Sequence, residues 1–408
     1  MRVLLSTIGS RGDVQPLVAL ASQLRAQGQE VHLCVPPDFR QWIAGLGMRV
    51  TPIGPELRTA TASRSSGTDG PSPEERRRQA VDATVATQFE TIGAAAQGCD
   101  VIVGATALQI AAPSVAEKMG IPYVFVSYCP VVLPSLLHAP PPLSVPGQLP
   151  APATADKREL WAQNAERVQN TFGPALNLHR ASLGLAPVRD VRSHIFTDHP
   201  WLAADPALAP WPDPADQSVV QTGAWLLPDD RPLSPELETF LNAGEPPVYF
   251  GFGSMRVPQT FGQVMIDAAR ALGRRAIVSR GWADLSAIDN EPDCLTVGEV
   301  NLRALFKRVA AAVHHGGAGT TTLAALAGAP QVIVPLIYDQ HYWAQRVHEI
   351  GIGTAHAPGV PATDSLTQAL ERTLQPDVAT RSRSIAAAMR TDGVQLAAER
   401  LMAGHLRN

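Results

Sequence analysis

The residues best suited to chemistry stand together at positions 314–320, which read His-His-Gly-Gly-Ala-Gly-Thr. The flanking apolar runs predict a strand before this stretch, then a helix opening at Thr320 and a second strand. Glycines lack a Cβ, so the backbone can approach a ligand closely, and the amino end of a helix attracts negative charge. The stretch therefore predicts a diphosphate site with His315 as a side-chain donor. It matches neither a P-loop nor Gly-x-Gly-x-x-Gly, and the structural alternative is a tight turn beside a buried histidine.

A second small-residue turn, Gly9-Ser10-Arg11-Gly12-Asp13, follows the first apolar run of the chain. Asp13 is the carboxylate that we expect to act as a base in this turn. The alternative is that Asp13 only caps the following helix, a position that suits Asp. Because a helix N-terminus favours the ionised carboxylate, we expect Asp13 to be ionised at pH 7 but weakly basic.

Two groups in the C-terminal half are suited to a sugar or its phosphate, since each follows a predicted strand. Ser254, in the turn Gly251-Phe252-Gly253-Ser254, can bond phosphate or sugar oxygens, or can cap a helix. Asp339 and Gln340 together accept and donate hydrogen bonds, as the recognition of sugar hydroxyls requires, although Asp339 also suits a helix N-cap.

The ends of two other predicted strands offer a place for a nucleobase. Trp282 follows the first of them, and Val297 and Val300 lie at the end of the second. A base can stack there and meet backbone groups, but Trp282 is equally suited to the protein core.

The chain contains no Asp-x-Asp. Paired carboxylates of that kind commonly hold a divalent metal on a nucleotide sugar, because hard cations prefer oxygen ligands. We therefore expect a site without metal, in which the helix dipole, backbone amides and His315 carry the charge of the leaving group.

Short apolar strands alternate with helices on either side of a proline-rich and acidic stretch at 198–235. In the first half, strands are predicted at 1–8, 31–35, 101–103 and 123–127, with a helix at 16–26. The pattern restarts with strands at 248–251, 276–279 and 295–297, helices at 258–272 and 341–350, and the stretch around His315. This alternation predicts an α/β protein with two Rossmann-like, doubly wound parallel sheets that face each other across a cleft. The predicted division is a first domain at 1–205, a linker at 206–217 and a second domain at 218–408, with the last helix able to pack back on the first domain.

The composition of the chain excludes some classes of protein. The chain has 408 residues, 45% of them hydrophobic and 17% charged, with a net charge of -4. Nucleic acid is not an expected partner, because the chain has no excess of basic residues that could bind phosphate groups. The four cysteines are scattered without a Cys-x-x-Cys pair, which favours a reducing cytoplasm, and the apolar N-terminal run is too short for a membrane span. We expect a cytoplasmic monomer without stable membrane insertion.

Two long segments, 55–73 and 128–156, interrupt the alternation of strands and helices in the first half of the chain. Loops of this length in compact domains are usually functional or mobile. The second loop is apolar and rich in proline, which loses little entropy on binding. We expect it to bind a rigid hydrophobic or aromatic acceptor through Tyr128, Pro130, Leu133 and Leu136; the alternative is that the loop packs on its own domain.

Several motifs, taken together and in order, make the chain resemble a known family across its whole length. The vancomycin-group glycopeptide antibiotic glycosyltransferases, within the larger bacterial natural-product family on the GT-B fold, share this set: Gly9-Ser10-Arg11-Gly12-Asp13, Thr197–Pro206, Gln221-Thr222-Gly223-Ala224-Trp225, Ser279–Leu285, His314–Thr321 and Asp339-Gln340.

The resemblance implies transfer of a sugar from a dTDP- or UDP-linked donor to an acceptor hydroxyl, with inversion and with neither metal nor other cofactor. Asp13 matches the catalytic base, and Asp339 with Gln340 matches the contacts to the donor sugar. The positions that match the donor diphosphate site are Ser10, Arg11, Ser254, His315, Gly317, Ala318, Gly319 and Thr320.

The acceptor half departs from the family pattern at 55–80 and 128–160, so three other functions stay open beside a glycopeptide glycosyltransferase. These are a sterol, lipid or polyketide glycosyltransferase, a sugar-nucleotide epimerase of the same shape, and an inactive auxiliary homologue.

Overall fold

Two parallel β-sheets form the framework of the computed structural model, which describes residues 1–58, 72–106, 108–143, 148–285, 289 and 291–404. The first sheet has the strand order β3-β2-β1-β4-β5-β6-β7 and the second has the order β10-β9-β8-β11-β12-β13. In each sheet the chain starts near the middle, moves to one edge and then crosses to the other side, as in doubly wound nucleotide-binding folds. The prediction of two Rossmann-like sheets is confirmed.

The first sheet and its helices take up the N-terminal half of the chain. Its strands are β1 (Arg2–Thr7), β2 (Glu30–Val35), β3 (Arg49–Pro52), β4 (Val101–Ala105), β5 (Tyr123–Ser127), β6 (Trp201–Leu202) and β7 (Val220–Gln221). Its helices are α1 (Arg11–Ala26), α2 (Arg40–Gly45), α3 (Pro73–Ala95), α4 (Ala112–Met119), α5 (Lys157–Ser182) and α6 (Val191–Phe196).

The second sheet and the remaining helices follow. The strands are β8 (Val248–Gly251), β9 (Ala276–Ser279), β10 (Cys294–Val297), β11 (Ala311–His314), β12 (Gln331–Ile333) and β13 (Gly353–Ala355). The helices are α7 (Pro235–Asn242), α8 (Phe261–Ala271), α9 (Leu302–Leu305), α10 (Ala318–Leu326), α11 (Gln340–Glu349), α12 (Thr363–Thr373), α13 (Pro376–Ala388) and α14 (Gly393–Met402).

Two helices begin earlier than the sequence predicts. Helix α1 begins at Arg11, not at Pro16, because Ser10 and Asp13 satisfy its first turn and the missing N–H of Pro16 removes only one helical bond. Helix α10 begins at Ala318, not at Thr320, so Gly319 lies in its first turn, where few intrahelical bonds are at stake.

The first sheet also extends past residue 205, the predicted end of the first domain. Val220 pairs in parallel with Trp201, which makes β7 the last strand of the first sheet. The predicted boundary therefore cuts through this sheet, because proline-rich composition marks the linker region but not the strand pair inside it.

Buried residues of the two domains belong to the same hydrophobic core clusters. One core cluster contains α1 residues such as Leu17 and Leu20 together with Ala397 and Leu401 of α14, so the last helix packs on the first domain. A second cluster contains Val132 of the first domain together with residues of α11. In the part of the chain that the structure describes, no helix combines the length and apolarity that crossing a membrane requires.

Candidate active site

The loops that carry the predicted chemistry meet where the strand order reverses in each sheet. Asp13 follows β1, which lies beside β4; Ser254 follows β8 and His315 follows β11, which pair with each other. In open parallel sheets the carboxyl ends of the strands at this reversal form the ligand crevice. The topology therefore places Asp13 at the reversal in the first sheet and Ser254 and His315 at the reversal in the second.

Asp13 lies in the first turn of α1, with one carboxylate oxygen held by Ser10. The Ser10 N–H donates to Asp13 Oδ2 at 2.6 Å and the Ser10 hydroxyl donates to the same oxygen at 3.2 Å. A Cβ on Gly9 would lie 2.2 Å from Asp13 Oδ2, so glycine is required there. Asp13 caps the helix, and both of these bonds go to Oδ2 and not to Oδ1.

The pKa of Asp13 differs from the sequence expectation. Burial raises it from 3.8 to about 6, and the bonds from Ser10 lower it only in part. Desolvation of the charged form therefore outweighs the favourable helix terminus. Asp13 is still mostly ionised at pH 7, but it is a stronger base than expected.

The loop after β11 has the geometry of an anion site. Gly316 has φ +90°, and a Cβ there would lie 2.7 Å from Ile333 Cγ2, so a larger residue would need both strain and displacement. Gly317 is the N-cap of α10 and no side chain caps the helix. The first N–H groups of α10 are thus left for a ligand. The hydroxyls of Thr321 and Thr322 turn back to helix carbonyls, at 3.0 and 2.7 Å.

The two adjacent histidines have different environments. His314 is fully buried, accepts from the Gly316 N–H at 3.1 Å through Nδ1 and pairs with Gln331 Oε1 at 2.9 Å through Nε2. His315 instead turns Nε2 toward the loop after β11, since a Cβ on Gly317 would lie 2.7 Å from that atom. His314 supports the loop, and His315 faces the site.

His315 is uncharged in this environment. Burial, with a further contribution from His314, lowers its pKa to about 3, and the Gly251 backbone opposes this only in part. Its Nδ1 is buried without a partner in hydrogen-bond geometry among the described residues. The ring atom next to Gly317 is Nε2, so Nε2 is the atom that an anion in the loop would meet.

Asp339 and Gln340 begin helix α11, after strand β12, which pairs with the strand that precedes His315. Burial, and then the charge of Asp13, raise the pKa of Asp339 to about 7, so the two carboxylates are close enough to interact. Asp339 Oδ2 accepts from Trp343 Nε1 at 3.3 Å. Tyr338 before it has φ +53°, a conformation that is uncommon for a bulky residue.

The Gln340 amide is largely used inside the protein. Its Oε1 accepts from the N–H groups of Leu336 and Ile337 at 2.8 and 3.1 Å, and Nε2 lies 3.4 Å from Met255 Sδ. Gln340 thus holds the loop between β12 and α11, and Nε2 is the part of its side chain with only a weak partner.

The predicted nucleobase region lies where the domains touch. Trp282 is half-buried against the core cluster of the first domain, and the Arg58 guanidinium lies 5.9 Å from its ring centroid. Val297 and Val300 are partly buried beside α9. Arg11, which the sequence analysis places at the diphosphate, donates to Glu299 Oε1 at 2.8 Å in this region.

The predicted acceptor residues divide into buried and exposed ones. The Tyr128 hydroxyl donates to the backbone carbonyl of Asp13 at 3.1 Å, which ties the acceptor loop to the candidate base. Pro130 and Leu133 are buried, and Leu133 lies in the cluster that also contains α11 residues, so in this structure both residues support the loop. Leu136 is 59% exposed, as is Leu137. Residues 59–71 and 144–147 of the two predicted loops lie outside the described residues.

Sequence reasoning missed the residues that act through long-range contacts. Trp42 and Glu299 hold the Arg11 side chain, and Cys129 is buried near Asp339, whose charge raises the pKa of the Cys129 thiol beyond the effect of burial. Nothing local in the sequence marks such pairs. For the described part of the chain, no three His, Cys, Asp or Glu side chains converge as a potential metal site.

Comparison with known proteins identifies the family. Residues 3–136 match the glycosyltransferase family 28 N-terminal domain, and residues 263–398 match the erythromycin biosynthesis protein CIII-like C-terminal domain. The chain is 51% identical to glycosyltransferase GtfE of Amycolatopsis orientalis over 99% of this chain and 97% of the relative. It is 49% identical to the vancomycin aglycone glucosyltransferase of the same organism, over 98% and 97% of the two chains.

A solved structure gives the same fold. The glycosyltransferase of kitacinnamycin superimposes with a TM-score of 0.74 over 100% of this chain and 99% of that chain, at 18% identity. With identities near one half over almost its full length, and with both sheets of the GT-B fold in place, the chain is an enzyme that belongs to the vancomycin-group glycopeptide glycosyltransferases.

Proposed function

We propose that this glycosyltransferase moves a sugar from a dTDP- or UDP-linked donor to a hydroxyl of a glycopeptide antibiotic aglycone, with inversion and without a metal. The observation that carries the proposal is that Asp13 interacts with Asp339 of the second domain, the same domain in which His315 lies beside the uncapped start of α10. A base and an anion site that face each other are what direct sugar transfer from a diphosphate requires.

Asp13 Oδ1 takes the proton of the acceptor hydroxyl. The acceptor oxygen then forms a bond to the anomeric carbon while the bond from that carbon to the diphosphate oxygen breaks on the opposite face. The leaving diphosphate keeps the electron pair, and its charge is stabilised by the N–H groups of residues 317–320 and by His315 Nε2–H. Attack opposite to the leaving group inverts the anomeric centre.

The donor binds to the second domain, which contains strands β8 to β13. Ser254, His315 and the start of α10 contact the diphosphate, Asp339 and Gln340 contact the sugar, and the region of Trp282, Val297 and Val300 contacts the base. The position of His315 Nε2 beside Gly317 supports this, since it lies at the amino end of α10, where an anion is favoured.

The acceptor binds to the first domain, which contains strands β1 to β7, with its hydroxyl directed at Asp13. The bond from the Tyr128 hydroxyl to the Asp13 backbone supports this placement, because it couples the start of the acceptor loop to the base. The exposed Leu136 and Leu137 offer apolar surface on the same loop. A glycopeptide is favoured over a sterol or polyketide because the name of the 49% identical relative specifies the vancomycin aglycone.

Turnover of nucleotide sugars with and without an acceptor tests the function. Purified protein is incubated with dTDP-glucose or UDP-glucose and with vancomycin-type aglycone, sterol or polyketide acceptors, and products are read by mass. We expect one hexosyl unit on the glycopeptide and little change of the donor alone. An isomerised donor without acceptor indicates an epimerase, transfer only to sterol or polyketide indicates another glycosyltransferase, and no turnover indicates an inactive homologue.

We also propose that the enzyme acts as a monomer in the cytoplasm. Its cysteines are unpaired, and three of them are buried, which supports a reducing compartment. Light scattering of the purified protein tests the monomer, and a mass of twice the chain would contradict it.

A further inference from the structure

The Arg11 side chain is held on two sides, once by each domain. Its guanidinium carbon lies 4.1 Å from the centroid of the Trp42 ring in the first domain. Its Nη1 donates to Glu299 Oε1 in the second domain at 2.8 Å. A planar guanidinium can stack on a ring and bond a carboxylate at the same time, which an ammonium cannot do as well.

The position of Glu299 separates Arg11 from the phosphate loop. Glu299 lies two residues past the end of β10, at the edge of the second sheet, whereas His315 follows β11. Strands β9 and β8 lie between them, so the two strand ends are three strand spacings, or about 14 Å, apart. Arg11 thus points toward the nucleobase region, although Asp13 in the same turn faces Asp339.

Further contacts join the domains at the same end of the cleft. Arg58, in the first domain, places its guanidinium over Trp282 and accepts a hydrogen bond on its backbone carbonyl from Arg256 Nη2 at 2.5 Å. Arg231 also lies near Glu299 and interacts with its charge. The nucleobase end of the cleft is therefore closed by side chains from both domains.

We propose that Arg11 is a positioning residue that clasps the two domains at the nucleobase end of the cleft, and that it does not bind the diphosphate. This inference deepens the proposed function, since a closed cleft would hold the nucleotide between Trp42 and Arg11 on one side and Trp282 on the other. Glu299 is its partner, and the pair acts on the reaction by fixing the second domain against the turn that carries Asp13.

A charge-exchange experiment separates a clasp from a phosphate ligand. The variants are Glu299→Arg, Arg11→Glu and the double exchange, and the dissociation constant for dTDP is measured by calorimetry without an acceptor. We expect each single variant to weaken dTDP binding on the order of tenfold, because like charges then face each other across the domains. The double exchange should recover to within about threefold of the wild type, since the opposite charges are paired again.

Glu238→Arg is the matched control. It makes the same change in charge at a less exposed side chain, 42% against 68% for Glu299, whose partner, Arg308, lies in the same domain. It should leave dTDP binding unchanged. Glu299→Gln and Arg11→Gln, singly and together, repeat the cycle without charge reversal near Asp13, and the double variant should be no weaker than either single one. Melting temperatures identify any variant that fails to fold.

Domain closure provides a second readout. Small-angle X-ray scattering of Glu299→Arg should give a larger radius of gyration than the wild type, and the double exchange should return it. Two results would overturn the proposal that Arg11 clasps the domains: normal dTDP binding by Glu299→Arg, or dTDP binding by the double exchange that is as weak as that of Arg11→Glu. Either result would favour a diphosphate-binding role for Arg11. If the cycle behaves as expected but no sugar transfer occurs, the proposed function fails and the clasp stands.

Discussion

At the scale of single residues, burial determines the pKa values of Asp13 and Asp339 in this cleft. Each lies at the start of a helix, where a negative charge is favoured, yet burial raises their pKa values to about 6 and about 7. The two carboxylates also repel each other, and neither has an arginine among the causes of its shift. The folded protein therefore holds these charges at a cost in stability, as functional sites often do.

Asp339→Asn should raise the melting temperature at pH 8 and leave it nearly unchanged at pH 4. The folded-state pKa of about 7 lies above the unfolded value of 3.8, so this carboxyl destabilises the fold as pH rises from about 4 to 7. The amide oxygen can still accept from Trp343. We expect an increase of about 2 °C or more at pH 8 by calorimetry, with loss of sugar transfer.

Asp392→Asn serves as the control for that experiment. Asp392 is exposed, and the bond from Arg390 lowers its pKa, so its removal should not stabilise the protein at pH 8. A lower melting temperature for Asp339→Asn at pH 8 would mean that the Asp339 charge is compensated in the fold.

His315→Ala should reduce kcat by about 10²-fold to 10³-fold at saturating donor, the usual loss for one donor to a developing negative charge. The melting temperature should change little, because Nε2 faces the loop and Nδ1 meets no partner in hydrogen-bond geometry among the described residues. His314→Ala is the matched comparison, since it removes buried bonds to Gln331 and Gly316 and should lower the melting temperature. Wild-type kcat in folded His315→Ala would rule out the phosphate role.

At the scale of elements, the sequence predicts which strands and loops exist better than where helices begin. Apolar runs ended by glycine predict β1, β8 and β11, and the strand order then brings their loops together. Pro16 and Gly319 suggest late starts for α1 and α10 because both residue types disfavour helix interiors. Near a helix N-terminus their cost is small, and capping by Asp13 decides the start of α1.

The composition of α10 predicts a preference for dTDP over UDP donors. A carboxylate in the helix after the phosphate loop would bond the ribose hydroxyls, but residues 320–328 contain no acid. The Thr321 and Thr322 hydroxyls are already bonded within the helix. A site without such polar groups discriminates weakly, so we expect kcat/KM for dTDP-glucose to exceed that for UDP-glucose by about tenfold or less. A strong UDP preference would contradict this account.

At the scale of the whole molecule, hydrogen bonds between residues far apart in sequence fix how the parts of the chain are arranged. Arg346 Nε donates to the Leu208 carbonyl at 2.7 Å, and the Arg390 N–H donates to Asp205 Oδ2 at 2.8 Å. Such pairs have no local signal in a single sequence, which is why motifs indicate the donor loops while Glu299, Trp42 and Cys129 go unpredicted. Burial of individual acceptor-loop residues is likewise a property of the assembled fold.

Leu136→Glu should weaken acceptor use without altering donor use. Leu136 is 59% exposed on the loop that Tyr128 ties to Asp13, so a charge there would oppose an apolar aglycone. We expect kcat/KM for the aglycone to fall about tenfold, with donor KM unchanged. Leu178→Glu, at a 72% exposed position on α5, is the control and should behave as the wild type. A changed donor KM in Leu136→Glu would move the acceptor site elsewhere.

The pH dependence of kcat/KM for the aglycone, compared between the wild type and Asp13→Asn, tests the role of Asp13 as the base most directly. Asp13 must be ionised to take a proton, so wild-type activity should fall as pH drops through its folded-state pKa of about 6. In Asp13→Asn, kcat should be about 10²-fold to 10⁴-fold lower and this limb of the profile should be absent. A limb near pH 6 that persists in a folded, active Asp13→Asn variant would show that another group is the base.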